Sequence, residues 1–160
     1  MKEVLKVGMS EVKITHPPTL LKTTGLGSCV GVCMYDKKLK IGGMAHVMLP
    51  SSANTKVKEF NVGKYADTAI EFLVKSLKEK GCNDLKAKIA GGAQMFTFSN
   101  SSDIMNVGAR NVKAVKDLLA KQGIKVISED TGGNKGRTIT FEIDSCNLIV
   151  RAIGSEEKII

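Results

Sequence analysis

Helical periodicity is confined to two stretches of this chain, and both lie in its middle. Over 61–80 the apolar residues Val62, Ala66, Ala69, Leu73 and Leu77 recur at steps of three and four, with Asn61 placed as an N-cap and Gly81 just past the end. Over 106–122 Val107, Val112, Val115 and Leu119 mark a second helix that Gly123 ends. Both helices carry lysines on the opposite face. The flanks read as β-structure. Val4, Val7, Met9, Val12 and Ile14 give one or two short strands broken near Gly8 and stopped by His16-Pro17-Pro18. A strand over 19–24 leads into a Gly25-Leu26-Gly27-Ser28 bend, and 29–35 and 40–49 form a hairpin about Asp36-Lys37-Lys38. Residues 50–60 form a polar surface loop. Further strands follow over 124–128, 138–144 and 148–153, and 87–98 is a strand leaving into a loop. Many strands with two helices grouped between them predict an α+β fold: a mixed, mainly antiparallel sheet arrangement with the helices packed on one face. A doubly wound parallel sheet is the second choice. The length, 160 residues, fits one domain over 1–160.

Composition narrows the function classes. With 42% hydrophobic residues and only three prolines, the chain can form a core and is not disordered. No apolar run approaches the ~18–20 residues of a membrane span, and Met1-Lys2-Glu3-Val4-Leu5 does not open a signal peptide. The formal charge of +8 points to acidic partners. Nucleic acid is disfavoured among them, because two tyrosines, five phenylalanines and no tryptophan leave few stacking platforms. Four cysteines in a domain that needs no disulfide indicate a reducing compartment, hence a cytoplasmic protein that is not membrane-embedded.

The local patterns for cofactors fail one by one. Gly25-Leu26-Gly27 lacks the third glycine of a dinucleotide fingerprint, because position 30 is Val30. The 131–137 loop with Gly132-Gly133 lacks the Lys-Ser/Thr pair of a P-loop, and a plain turn is favoured there over an anion-binding nest. Cys29, Cys33 and His46 have no second paired motif to complete a structural zinc site.

The hairpin gives a sharper expectation. A two-residue Lys37-Lys38 turn opposes residues whose numbers sum to 75, setting Cys29 beside His46 on one face of the sheet. A one-residue slip would send His46 to the other face. Cysteine beside histidine is the minimum for nucleophilic thiol chemistry, since an adjacent imidazolium lowers a thiol's pKa. Cys29 also follows a Gly-rich bend whose backbone N–H groups can face an oxyanion. The plain alternative is a buried thiol and a hydrogen-bonded core histidine, and Cys33, Cys82 and Cys146 are expected to be buried structural thiols.

Thr23-x-Gly25-Leu26-Gly27-Ser28-Cys29-Val30 and Gly42-Gly43-Met44-Ala45-His46-Val47-Met48-Leu49-Pro50 resemble the CheD family, the chemoreceptor glutamine deamidases of bacterial and archaeal chemotaxis. The segments 64–67, 88–93, Asn106-Val107-Gly108-Ala109-Arg110-Asn111 and 129–134 extend the likeness over nearly the whole chain. The resemblance implies a cysteine nucleophile, a histidine acid/base and a threonine six residues before the cysteine, which here are Cys29, His46 and Thr23. It implies hydrolysis of receptor glutamine side chains to glutamate through an acyl-thioester that needs no metal or organic cofactor, with receptor cytoplasmic domains as substrate and the CheC phosphatase as partner. The competing expectation is an interaction module that chiefly modulates CheC, with little deamidase activity.

Overall fold

The computed structural model describes residues 2–95 and 106–160. In chain order the elements are β1 (Val4–Lys6), β2 (Val12–Thr15), β3 (Leu20–Leu26), β4 (Val30–Asp36), β5 (Ile41–Val47), a 3₁₀ turn (Val62–Lys64), α1 (Ala66–Glu79), β6 (Leu85–Gly91), α2 (Val107–Lys121), β7 (Lys125–Thr131), β8 (Arg137–Glu142), β9 (Asn147–Ala152) and β10 (Lys158–Ile159). One sheet runs β2-β5-β4-β6-β7 and the other β1-β3-β8-β9-β10.

β4 is buried at every position, as a strand covered on both faces must be. Val30, Val32 and Met34 point to one face, where they pack with Ala45, Val47 and Ile89 beneath Ala69, Leu73 and Leu77 of α1 and Val115 and Leu119 of α2. Cys33 and Tyr35 point to the other, against Leu21, Leu26, Ile139, Phe141 and Val150 of the second sheet. The result is three layers: two helices, a central sheet and an outer sheet. Among the described residues, six of the eight strand pairings are antiparallel. The exceptions are β1 with β3, and β6 with β7 across the α2 crossover. This is the expected α+β arrangement with both helices on one face, and it excludes the doubly wound alternative.

Three local expectations are corrected. The first helix does not start at Asn61: residues 62–64 form a separate 3₁₀ turn, and Tyr65 is extended and bridged to Leu49, so α1 begins at Ala66 without a side-chain cap. The hairpin loop spans four residues rather than two. Asp36 Oδ1 accepts from the N–H groups of Lys38 and Leu39, both at 3.0 Å, and Lys40 adopts φ 56° to rejoin β5. The short β10 pairs with β9 and has no counterpart among the expected strands. Residues 96–98 of the strand and loop expected over 87–98 lie outside the described residues. The second helix behaves as read: Asn106 Oδ1 accepts from Ala109 N–H at 3.1 Å, and Gly123 sits past the end at φ 72°.

Candidate active site

The four-residue loop changes the hairpin register by two. Opposed residues sum to 77, so His46 faces Gly31 rather than Cys29. Two residues are one full repeat of the pleat, so the face is unchanged. Cys29 directly precedes β4 and stands two residues before Gly31, the register partner of His46. Cys29 belongs to the inter-sheet cluster. His46 reaches the same layer, because its ring bonds to Thr23 of the outer sheet. Gly31 keeps the space beside them narrow: a Cβ there would meet Ile139 Cδ1 at 2.5 Å.

Thr23 and His46 are both buried, whereas Thr24 is exposed, so the threonine at the site is Thr23. Its Oγ1 lies 2.7 Å from His46 Nδ1 and 2.6 Å from the carbonyl oxygen of Val7. The parallel β1–β3 pairing brings Val7 there, with Val7 N–H donating to Lys22 O at 2.8 Å. A hydroxyl has one proton, and the Val7 carbonyl can only accept it. Nδ1 of His46 therefore carries a proton and donates to Thr23 Oγ1. That leaves Nε2 as the basic nitrogen of the neutral ring. Nε2 is buried and has no hydrogen-bond partner among the described residues.

Burial acts on both groups in the same sense. It pushes the Cys29 thiol above its ordinary value, with the residue's own backbone N–H offsetting this in part, and it lowers the pKa of His46. Burial thus favours the neutral thiol and the neutral imidazole over the thiolate and imidazolium.

The backbone around Cys29 is pinned by residues that spacing did not single out. Gly92 N–H donates to Cys29 O and Ala93 N–H to Gly27 O, both at 2.8 Å. Gly91 has φ 118°, and a Cβ on it would lie 2.2 Å from Cys29 O. Arg137, nearly buried, holds this turn from the outer sheet: its guanidinium donates to Gly91 O at 3.2 Å, Gly132 O at 2.9 Å and Asp130 Oδ2 at 3.1 Å. Within the 131–137 loop Gly132 N–H donates to Gly91 O at 3.0 Å, and Gly133 O accepts from Gln94 N–H at 2.9 Å. The sequence signals for these supports were the segments 88–93 and 129–134 of the family resemblance, and no local spacing tied them to Cys29. Cys33, Cys82 and Cys146 are buried and unpaired, as expected.

Comparison with known proteins adds what geometry alone does not. The family model CheD, described as chemotactic sensory transduction, matches residues 48–152. The chemoreceptor glutamine deamidase CheD of Halalkalibacterium halodurans is 49% identical over 160 residues, covering 99% of each chain. That of Bacillus subtilis is 50% identical over 159 residues, covering 98% of this chain and 96% of the relative. The probable deamidase of Syntrophomonas wolfei is 48% identical over the full length of both. The family-model match begins after Cys29 and His46, but the relatives span both. With a family model matched over most of its length and relatives near half identity end to end, the chain belongs to the CheD family.

Proposed function

We propose that this protein deamidates glutamine side chains of chemoreceptor cytoplasmic domains, with Cys29 as nucleophile, His46 as acid/base and Thr23 as the group that orients His46. The observation that carries the reading is the chain Val7 O, Thr23 Oγ1, His46 Nδ1, which leaves Nε2 as a base on the sheet face shared with Cys29. As the Cys29 sulfur attacks the carboxamide carbon, its proton passes to Nε2. The tetrahedral oxyanion forms beside the Cys29 backbone N–H, already close to the sulfur. Collapse breaks the C–N bond, and protonated His46 gives its proton to the leaving nitrogen, releasing ammonia and a thioester. Water deprotonated by the same nitrogen then attacks the thioester, yielding glutamate and the free thiol.

We further propose a cytoplasmic location, which four unpaired thiols suit, and binding of a CheC-type phosphatase, which the sequence resemblance implies. Incubation with receptor cytoplasmic fragments tests the whole reading. Peptide mass spectrometry should show Gln→Glu conversion by the native protein and none by Cys29→Ala, which should still bind CheC. Conversion by both proteins, or by neither, overturns the thiol mechanism. CheC stimulation without any deamidation would favour the interaction module.

A further inference from the structure

Two strands of the central sheet separate at the site. The β4–β5 ladder ends at the Val30–Val47 pair. Beyond it residues 27–29 turn back toward β3, while Met48 and Leu49 turn away, each donating its N–H to Lys64 O at 3.0 Å. Buried carbonyls just past the end of a ladder need donors from elsewhere. Ser28 O and Met48 O find theirs in one side chain. Asn111 of α2, fully buried, donates through Nδ2 to Ser28 O at 2.9 Å and to Met48 O at 3.0 Å.

The chemistry fixes the orientation of this amide. Only its NH₂ end can face two carbonyl oxygens, and its two protons are then both used. The other end contributes nothing, since Oδ1 is buried without a partner among the described residues. One accepting carbonyl belongs to the residue before Cys29, and the other lies two residues after His46. Asn111 thus ties the segment bearing the nucleophile to the segment bearing the base where the sheet no longer does so. Its helix is seated against the same region one turn earlier: a Cβ on Gly108 would meet Ala93 O at 2.3 Å and Gly92 O at 2.6 Å, and Gly92 N–H holds Cys29 O.

We propose that Asn111 is a positioning residue for the thiol chemistry, its amide clamping Ser28 and Met48 so that Cys29 and His46 keep the separation proton transfer needs. This rests on the assignment of Cys29 and His46 made above. Asn111→Leu keeps the volume and removes both donors, whereas Asn111→Asp keeps the shape and sets carboxylate oxygens against two carbonyls. Both should lower kcat for receptor-fragment deamidation by about 10- to 100-fold, the cost of a misplacement on the order of 1 Å, while KM moves less than about threefold. A role in stability alone would lower the melting temperature and leave kcat unchanged where the variants remain folded.

Should neither variant fold, the native protein supplies the test: the Asn111 side-chain N–H protons, followed by ¹⁵N NMR, should exchange with water far more slowly than those of an exposed asparagine. A folded variant with kcat within about threefold of native, a loss confined to KM, or rapid exchange of those protons overturns the proposal. Activity in Cys29→Ala instead overturns the assignment beneath it. An inactive Cys29→Ala beside fully active Asn111 variants overturns the clamp alone.

Discussion

Thr23 has one hydroxyl proton and stands between two groups, of which the Val7 carbonyl can only accept while His46 Nδ1 can donate. Thr23→Val preserves the shape but leaves the Val7 carbonyl and His46 Nδ1 unpaired in a buried layer, at a cost of about 1–3 kcal/mol for each group. It should also free His46 to adopt the wrong tautomer, so kcat/KM should fall by roughly 100-fold or more, the scale of general-base catalysis. Thr23→Ser keeps the hydroxyl and should retain most of the activity; equal losses in the two variants would remove the tautomer role. The pH profile tests the same residues. Because the folded-state pKa of His46 lies below its ordinary 6.5, the acid limb of kcat/KM should fall below pH 6.5. The Cys29 thiol, raised above 9.0, should show no alkylation inflection on the acid side of that value. The depressed His46 also means that stability is fully present above the unfolded pKa and is lost as pH falls through the folded one. An acid limb above pH 6.5 would show that burial does not hold His46 neutral, whereas a thiolate–imidazolium resting state would appear as an alkylation inflection well on the acid side of 9.0. Cys29 and His46 were legible from spacing, because strand parity survives a two-residue error. Thr23 was not: its partners arrive through a parallel pairing and a second sheet, neither of which leaves a local pattern.

Elements at the site are held by close backbone approach more than by side-chain packing. The end of β6 lies so near the start of β4 that Gly91 has no room for a side chain, and its φ of 118° is one that alanine adopts only with strain. Gly91→Ala should displace the Cys29 carbonyl or break the Gly92–Cys29 bond. The expected result is a stability loss of about 1–3 kcal/mol in chemical denaturation together with a deamidation rate reduced at least tenfold. Gly81→Ala, at the end of α1 with a φ of 94° and only Leu39 nearby, supplies the control: a comparable backbone penalty far from the site, with kcat unchanged. Equal kcat losses in the two would show that the β6 turn has no special hold on the nucleophile. The sequence displayed both helices, because apolar periodicity is local. The break before α1 was hidden, because it depends on Tyr65 bridging Leu49, and the hairpin loop was misjudged because Asp36 accepts backbone N–H groups that a two-residue turn does not present.

At the scale of the whole molecule, the three layers bury Cys29 and His46 between two sheets and leave most of the charge on the outside, with Asp36, Lys88 and Arg137 as buried exceptions. A formal +8 does not explain the fold, and it acts on encounter rather than on bond-making. Cys29 and His46 lie in a buried layer where salt screens poorly, so ionic strength should leave kcat nearly unchanged if they are the reacting pair. Association is different: if acidic receptor surfaces are drawn to the protein by its excess of lysine, screening at a Debye length below about 10 Å should weaken that attraction. On receptor fragments kcat/KM should therefore fall several-fold as salt rises from millimolar to roughly 0.3 M, with the change carried by KM. A short neutral glutamine peptide should show no such dependence. If the receptor fragment is equally indifferent to salt, the positive charge has no part in substrate capture. If kcat itself falls, the reacting groups are more open to solvent than the inter-sheet burial of Cys29 and His46 allows.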